Sequence, residues 1–127
     1  MTFNWKLKTI LVAEDEDSNF LFLEKILSPT NVKIIRAENG NEAVDIINNS
    51  DIDLVLMDIV MPEVDGFEAA NIIKGEHPDI PIIAQTFYES DIDKEKVENS
   101  KFDSFIRKPI NINKLLIVID KYLGEKK

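Results

Sequence analysis

The amino-acid sequence predicts one α/β domain, an open, doubly wound parallel sheet with helices on both faces. Two observations predict this class. Short apolar runs rich in β-branched residues alternate along the chain with segments in which apolar residues recur at helical spacing. No repeat, low-complexity tract or Gly/Ser-rich linker divides the 127 residues, and this length is typical of a single domain. Because crossovers between parallel strands are right-handed, the helices then cover both sides of one sheet.

The continuous apolar runs are the predicted strands. Each run is short and bounded by polar clusters, as expected for strands buried on both faces of a parallel sheet. In chain order they are residues 9–13, 32–35, 54–57, 80–84 and 105–106.

Apolar stripes between these runs predict the helices. Asn39 and Gly40 would elsewhere indicate a hairpin, but helical spacing follows them directly, so they are interpreted as the turn into the second helix. The segment 90–99 is the weakest candidate, because Ile92 and Val97 are its only apolar residues. The other stripes are Phe20, Leu23, Ile26, Leu27; Ala43, Val44, Ile46, Ile47; Phe67, Ala70, Ile73; and Ile112, Leu115, Leu116, Ile119, Leu123.

Composition restricts the function. The net charge of −9 argues against direct nucleic-acid binding, because that needs clustered Lys and Arg to displace counterions from phosphates. Cysteine is absent, which excludes disulfides and thiolate metal sites. No apolar run approaches the ~20 residues of a membrane span, and the N-terminus lacks the apolar core of a signal peptide. We therefore expect a cytoplasmic protein with no membrane span.

Polar residues stand where the predicted strands end, which is where doubly wound sheets bind their ligands. The acidic residues 14–17 follow the first strand, Asp58 follows the third, Thr86 the fourth and residues 107–109 the fifth. Carboxylates, a hydroxyl group and an ammonium group are therefore predicted to converge at one edge of the sheet.

This set of groups suits metal-dependent phosphoryl transfer. Carboxylates a few ångströms apart repel one another unless a cation lies among them. Oxygen ligation with retained waters suits Mg²⁺, with Mn²⁺ as the alternative. A metal and a lysine neutralise charge on phosphoryl oxygens, and a carboxylate can be the nucleophile. The four glycines form neither a G-x-x-x-x-G-K-[ST] nor a G-x-G-x-x-G motif, so no nucleotide-binding loop is predicted.

Four strings resemble the receiver domain of bacterial response regulators. They occur in order at the ends of four predicted strands. The resemblance runs over residues 8–123, with 1–7 as an N-terminal extension and 124–127 as a tail, and it implies the flavodoxin-like strand order 2-1-3-4-5. The turn after the first strand is most similar to receivers of hybrid histidine kinases. The strings are ILVAEDE (10–16), LMDIVMPEVDG (56–66), PIIAQT (81–86) and RKP (107–109).

The resemblance implies a nucleophile and a metal site. Asp58 is expected to be the phosphorylated residue. Asp15 would hold Mg²⁺ directly and Glu14 would hold it through water. Asp58 and the backbone carbonyl of Val60 would complete the protein ligands.

It also implies the residues that bind and sense the phosphoryl group. Thr86 and Lys108 would bind its oxygens, and Thr86 and Phe105 would form the switch that passes the state on. Pro109 would follow a cis peptide bond. Taken singly, each site residue has a simpler interpretation as a helix-start acid, a surface lysine, a strand-end residue or a core aromatic. The functional interpretation rests on their combination.

The expected function is a signalling switch that catalyses only its own phosphoryl transfer and slow dephosphorylation, and not an enzyme with a separate substrate. The only histidine, His77, precedes Pro78, where helix is disfavoured, so phosphate is expected from a sensor histidine kinase or a histidine phosphotransfer protein. Dimerisation through the face of the fourth and fifth helices is common in the family once phosphorylated.

Two alternatives stay open. The first is a Mg²⁺-dependent aspartyl-phosphate phosphatase, although Val60 stands where such enzymes carry a second acid. The second is a pseudo-receiver that takes no phosphate, because Phe87 replaces the small residue usual after Thr86 and its ring would narrow the approach to Asp58.

The phosphorylated state is predicted to be long-lived. In the resembling family, polar groups two residues after the phospho-acceptor and two after the threonine hold the attacking water, and here these positions are Val60 and Tyr88. Replacing both (Val60→Asn with Tyr88→Glu) should speed loss of phosphate roughly ten- to a hundredfold, since about 1.4 kcal/mol is tenfold in rate. The measurement is the decay of phosphoprotein after the donor is removed. Wild-type decay within seconds, or equal decay of both proteins, would contradict the prediction.

Overall fold

Strands and helices alternate along the chain in this computed structural model, which describes residues 3–59, 66–86 and 99–124. Apart from its last residue, the predicted helix over 90–99 lies outside the described residues. The elements are β1 (Thr9–Ala13), α1 (Asp17–Leu27), a 3₁₀ turn (Ser28–Thr30), β2 (Lys33–Ala37), α2 (Gly40–Asn49), β3 (Leu54–Asp58), α3 (Gly66–Glu76), β4 (Ile82–Thr86), β5 (Ser104–Arg107) and α4 (Ile112–Leu123).

The described strands form one parallel sheet in the order β2-β1-β3-β4-β5. One face packs against buried side chains of α1 and α4, and the other packs against those of α2 and α3. The predicted fold class and strand order are therefore confirmed. Because all strands point the same way, their carboxyl ends meet at one edge of the sheet.

Four strands differ from their predicted bounds. β3 ends one residue later, at Asp58, and β5 is one residue longer at each end. β2 runs on to Ala37, and β4 starts and ends two residues later than predicted. Pro81 has no amide hydrogen to donate, so the β4 ladder begins after it. Gln85 and Thr86 are polar, yet they continue this ladder in register with β5. The two edge strands, β2 and β5, are only partly buried, which corrects the prediction that every strand is buried on both faces.

The starts of α2 and α4 are capped by asparagine side chains. Asn39 Oδ1 accepts the amide of Glu42 at 2.8 Å, which confirms the interpretation of the Asn-Gly pair as the turn into α2. Asn111 Oδ1 accepts the amide of Lys114 at 3.0 Å in the same way. Ile112 is 47% exposed, so the buried stripe of α4 starts one turn later than predicted. None of the described helices combines the length and apolar character that crossing a membrane requires.

Two aspartates fix the register of the sheet at its amino edge. The Asp53 amide donates to the Thr9 carbonyl at 2.9 Å, and the Thr9 amide donates to Asp53 Oδ2 at 2.8 Å. Asp103 and Ile82 form the same reciprocal pair at 2.9 and 2.8 Å. Each aspartate directly precedes its own strand and binds the first residue of the neighbouring strand. A one-residue slip would break both bonds of a pair, so the pairs help to hold the strand ends in line.

Trp5 lies within the predicted N-terminal extension, but its side chain is 2% exposed and belongs to the core on the α1 and α4 face. Its indole N–H donates to Asp120 Oδ1 in α4 at 3.0 Å. Its amide donates to the Thr30 carbonyl at 2.7 Å, and the Phe3 ring lies 5.5 Å away, centroid to centroid. This segment therefore packs against the domain, while the boundary at residue 8 stays a prediction.

Truncating Trp5 should destabilise the fold strongly. Trp5→Ala removes a fully packed aromatic ring and should lower the free energy of unfolding by about 3–5 kcal/mol. Trp5→Phe keeps most of the packing and loses the indole hydrogen bond, so it should cost only about 1–2 kcal/mol. Urea unfolding followed by circular dichroism measures both. An alanine variant as stable as the wild type would show that this ring does not pack in the core.

Candidate functional site

The turn after β1 carries two of the predicted site residues in different environments. The Glu14 amide donates to the Ala37 carbonyl at 2.9 Å, which extends the β1–β2 ladder by one residue and buries the Glu14 side chain completely. The Glu16 amide donates to Glu14 Oε2 at 3.2 Å. Asp15 faces outward and is exposed. The turn therefore presents one buried and one solvent-facing carboxylate.

Asp58 ends β3 and is 7% exposed. Lys108 Nζ lies 3.0 Å from Asp58 Oδ2, with only 15% of the lysine side chain exposed. Lys108 reaches this position because its amide donates at 2.8 Å to the carbonyl of Thr86, the last residue of β4. The Lys108–Pro109 peptide bond is cis, as predicted. The residue that follows β5 thus places its ammonium group beside the carboxylate at the end of β3.

The acidic residues form a cluster that fits a divalent cation. One carboxylate oxygen from each of Glu14, Asp15 and Asp58 lies within 4.8 Å of the others. Glu14 Oε1 is buried and has no hydrogen-bond partner among the described residues. Hard oxygen ligands with an unused lone pair are the donors that Mg²⁺ prefers. Among residues 3–59, 66–86 and 99–124, this is the only such grouping of possible ligands.

Burial and charge perturb Glu14. Loss of water around its carboxyl group, and to a smaller extent the nearby Asp58 carboxylate, raise its pKa from 4.5 to a net value of about 7. The Glu16 amide and the Lys108 ammonium act in the opposite direction but are outweighed. At neutral pH the site therefore holds a carboxyl group poised to exchange its proton for a metal ion.

Thr86 and Phe105 lie beside this cluster on neighbouring strands. Thr86 is the last residue of β4 and is paired in register with Arg107. Phe105 is partly buried and packs with Phe67 and Phe102 around the buried Ile59 and Ala84.

Three residues of the sequence interpretation, Val60, Phe87 and Tyr88, lie outside the described residues. The structure therefore does not bear on the predicted carbonyl ligand of Val60, on the narrowed approach beside Phe87 or on the side chains expected to hold the attacking water.

Gly66 lets the start of α3 approach the end of β3. A Cβ atom added at Gly66 would lie 2.7 Å from the Asp58 carbonyl oxygen and 2.7 Å from the Ile59 Cα, and both are backbone atoms that cannot yield cheaply. The Gly66 amide also donates to the Ile59 carbonyl at 2.9 Å. The backbone that carries Asp58 is therefore held against α3.

The sequence interpretation missed two polar residues beside the site. Arg36 was placed beyond the predicted second strand, yet its Nε donates to the Glu14 carbonyl at 3.1 Å. Gln85 is 1% exposed and lies in register with Asp58, with its Nε2 unpaired among the described residues. The position of Gln85 between the apolar run 80–84 and the site residue Thr86 was the available signal. A cation at the carboxyl end of the second strand was the signal for Arg36.

Comparison with known proteins assigns the family. The family sequence model of the response regulator receiver domain matches residues 10–120, which is nearly the whole chain. The chain therefore belongs to the response regulator receiver domain family, and it is a phospho-acceptor domain of two-component signalling. Members of this family bind Mg²⁺ in an acidic cleft.

Individual relatives agree with this assignment. The polar-differentiation response regulator DivK of Brucella anthropi is 32% identical over 120 residues, 93% of this chain and 98% of that protein. A co-crystal structure of the Saccharomyces cerevisiae phosphotransfer protein Ypd1 with the Ssk1 receiver domain matches with a TM-score of 0.86 and 27% identity. The match covers 97% of this chain and 92% of the matched chain. The receiver domain of the sensor histidine kinase PA1611 from Pseudomonas aeruginosa was solved with Mg²⁺ in its active-site cleft. It matches with a TM-score of 0.84 and 25% identity, and the match covers 93% of this chain and 98% of that domain.

The raised pKa of Glu14 predicts an unusual pH dependence of stability. In divalent-free buffer the folded state binds a proton that the unfolded chain releases, so stability should fall as pH rises from 4.5 to about 7. The loss should approach about 3 kcal/mol, because one pKa unit corresponds to about 1.4 kcal/mol. Glu14→Gln should abolish this slope and raise stability at neutral pH.

Urea unfolding over the range from about pH 5 to about pH 8 provides the measurement. Glu16→Gln, which changes an exposed neighbour, is the matched control and should keep the wild-type slope. A Glu14→Gln variant with an unchanged slope would mean that another group causes it.

Proposed function

We propose that this chain is the acceptor of a phosphorelay in which Asp58 takes the phosphoryl group from a partner phosphohistidine. One observation carries the proposal. The Asp58 carboxylate lies 3.0 Å from the Lys108 ammonium and within 4.8 Å of carboxylate oxygens of Glu14 and Asp15. A nucleophile, a cation and a set of metal ligands are therefore within reach of one phosphoryl group.

In the proposed reaction an Asp58 oxygen attacks phosphorus in line with the departing imidazole nitrogen. A P–O bond forms, the P–N bond breaks, and the partner histidine keeps the electron pair and takes up a proton. Lys108 donates to an Asp58 oxygen before the transfer and would then neutralise charge on the phosphoryl oxygens. Thr86 would donate its hydroxyl hydrogen to one of these oxygens.

Glu14, Asp15 and Asp58 would hold the metal, together with the carbonyl of Val60. Mg²⁺, or Mn²⁺ in its place, supplies Lewis-acid stabilisation of the transferring group when bound. Glu14 Oε1, which has no hydrogen-bond partner among the described residues, supports this assignment, because a buried polar atom without a partner is otherwise costly.

The phosphoryl donor is proposed to be a sensor histidine kinase or a histidine phosphotransfer protein. The only histidine of the chain is His77, directly after α3. Its Nε2 is 2.9 Å from Asn48 Oδ1, and it lines a hollow with Thr9 and Asp53 at the amino edge of the sheet. It therefore stands at the opposite edge from Asp58. The pairing of a phosphotransfer protein with a receiver domain in the Ypd1–Ssk1 structure supports a donor of this kind.

The output is proposed to pass through the face around Thr86 and Phe105. Phe105 packs in the small cluster next to the ends of β3 and β4. A hydroxyl group drawn toward a phosphoryl oxygen on Asp58 would change the space beside this ring. The side chain of Phe105 could then move without disturbing the larger cores.

Asp58→Asn should abolish phosphorylation. Incubation with a small acyl phosphate and Mg²⁺ followed by intact mass should show one added phosphate on the wild type and none on the variant, because an amide is a poor nucleophile. The fold should survive, and its stability should rise, since one member of a repelling cluster becomes neutral.

Asp51→Asn is the matched control, an exposed aspartate at the other end of β3, and it should accept phosphate as the wild type does. Peptide mapping that places the phosphate on Asp15 or Asp65 would refute the assignment. Turnover of acyl phosphate without an adduct would instead indicate a phosphatase.

A further inference from the structure

Arg36, in the edge strand β2, contacts both ends of the acidic turn. Its Nε donates to the Glu14 carbonyl at 3.1 Å, and its Nη1 lies 2.8 Å from Asp17 Oδ1, at the start of α1, and 3.7 Å from Glu38 Oε1. Its guanidinium carbon stacks 4.8 Å from the centre of the Phe20 ring. A single side chain thus bridges β2, the turn and the first helix.

The backbone fixes where this side chain begins. Arg36 pairs in register with Val12, and the next residue, Ala37, accepts the Glu14 amide at 2.9 Å. The Glu14 residue is therefore held by β2 through both its N–H and its C=O. The Arg36 side chain is 21% exposed and the Asp17 side chain 81% exposed, whereas Glu14 is fully buried. The bond to the Glu14 carbonyl is therefore the contact of Arg36 that is best shielded from competing water.

We propose that Arg36 is a positioning residue for cation binding by Glu14 and Asp15. The inference rests on the proposed metal site. The carbonyl that Arg36 holds belongs to the peptide that joins Glu14 to Asp15, so rotation of this peptide would turn the two carboxylates relative to each other. Arg36 restrains that rotation from one side, and its second contact, to Asp17, restrains the start of α1 that follows.

The positive charge and the positioning effect act on a bound cation with opposite signs. A guanidinium group beside the cluster repels Mg²⁺, so its charge alone predicts that removing Arg36 tightens binding. Fixed ligands favour the ion, because less conformational freedom is lost when it binds. Positioning therefore predicts that removing Arg36 weakens binding, and the sign of the change separates the two effects.

Mg²⁺ titration followed by ¹H–¹⁵N NMR tests the proposal. Arg36→Met keeps an unbranched aliphatic side chain beside Phe20 but loses every side-chain N–H. Mg²⁺ should bind to this variant about tenfold more weakly, as for loss of one hydrogen bond from a charged donor. Arg36→Lys keeps the repelling charge without the fork that spans Glu14 and Asp17, and it should bind Mg²⁺ at least as weakly as Arg36→Met.

Lys33→Gln is the matched control, because it removes the same charge from the exposed start of β2, and its affinity should stay at the wild-type level. Equal or tighter binding by Arg36→Met, wild-type affinity in Arg36→Lys, or an equal loss in Lys33→Gln would overturn the proposal. If Arg36→Met does not fold, Arg36→Lys and the charge-neutral Phe20→Leu, which should weaken binding in the same direction, decide the question. Asp15→Ala tests the metal site itself, since wild-type affinity in that variant would refute the proposed function whatever Arg36 does.

Discussion

The mutual repulsion of three carboxylates is the constraint around which this molecule is organised. Glu14, Asp15 and Asp58 bring oxygens within 4.8 Å of one another, and one of these carboxyl groups is fully buried. Such a cluster persists only where the surrounding fold is stable enough to enforce it. Lys108 compensates part of the charge at 3.0 Å, and protonation of Glu14 or a divalent cation compensates the rest. A bound cation would relieve this repulsion, and the relief would contribute to the affinity of the proposed site for the cation.

The rest of the structure serves to hold these groups in place. The core on both faces of the sheet fixes the strands, and parallel register brings the ends of β1, β3 and β4 to a common edge. Close backbone contacts then act locally. The start of α3 lies against the carbonyl of Asp58 because residue 66 is a glycine, and β2 holds the Glu14 peptide through Ala37 and Arg36. Groups that carry like charge are thus attached to backbone that has little freedom to separate them.

The sequence allowed the sheet and the convergence of Asp58 with the acidic turn and Lys108 to be predicted, because each of these residues follows an apolar run that is visible in the chain. The strand order was predicted from the family resemblance. Contacts between distant positions could not be predicted in this way. Trp5 and Asp120 are 115 positions apart, and nothing local marks them as partners. Arg36 was likewise hidden, since its contact with Glu14 depends on β2 continuing past residue 35, where the apolar run ends. Even with the structure known, the roles of Thr86 and Phe105 stay predictions, because their positions are consistent with the switch but do not demonstrate it.

The reciprocal pairs that Asp53 and Asp103 form with backbone amides affect which edge of the sheet a metal ion would bind. Both ends of the sheet carry carboxylates, so a divalent cation could in principle be shared between them. At the amino edge, however, Asp53 and Asp103 already accept backbone amides at 2.8 Å, and Asp103 is also paired with Lys74 at 2.7 Å. An ion bound there would have to displace these donors, whereas at the carboxyl edge it meets a lone pair that no described residue occupies. Aspartates therefore cap backbone amides at the amino edge, whereas Glu14 Oε1 at the carboxyl edge has no partner among the described residues. The proposed metal site would thus concentrate a cation at the carboxyl edge alone.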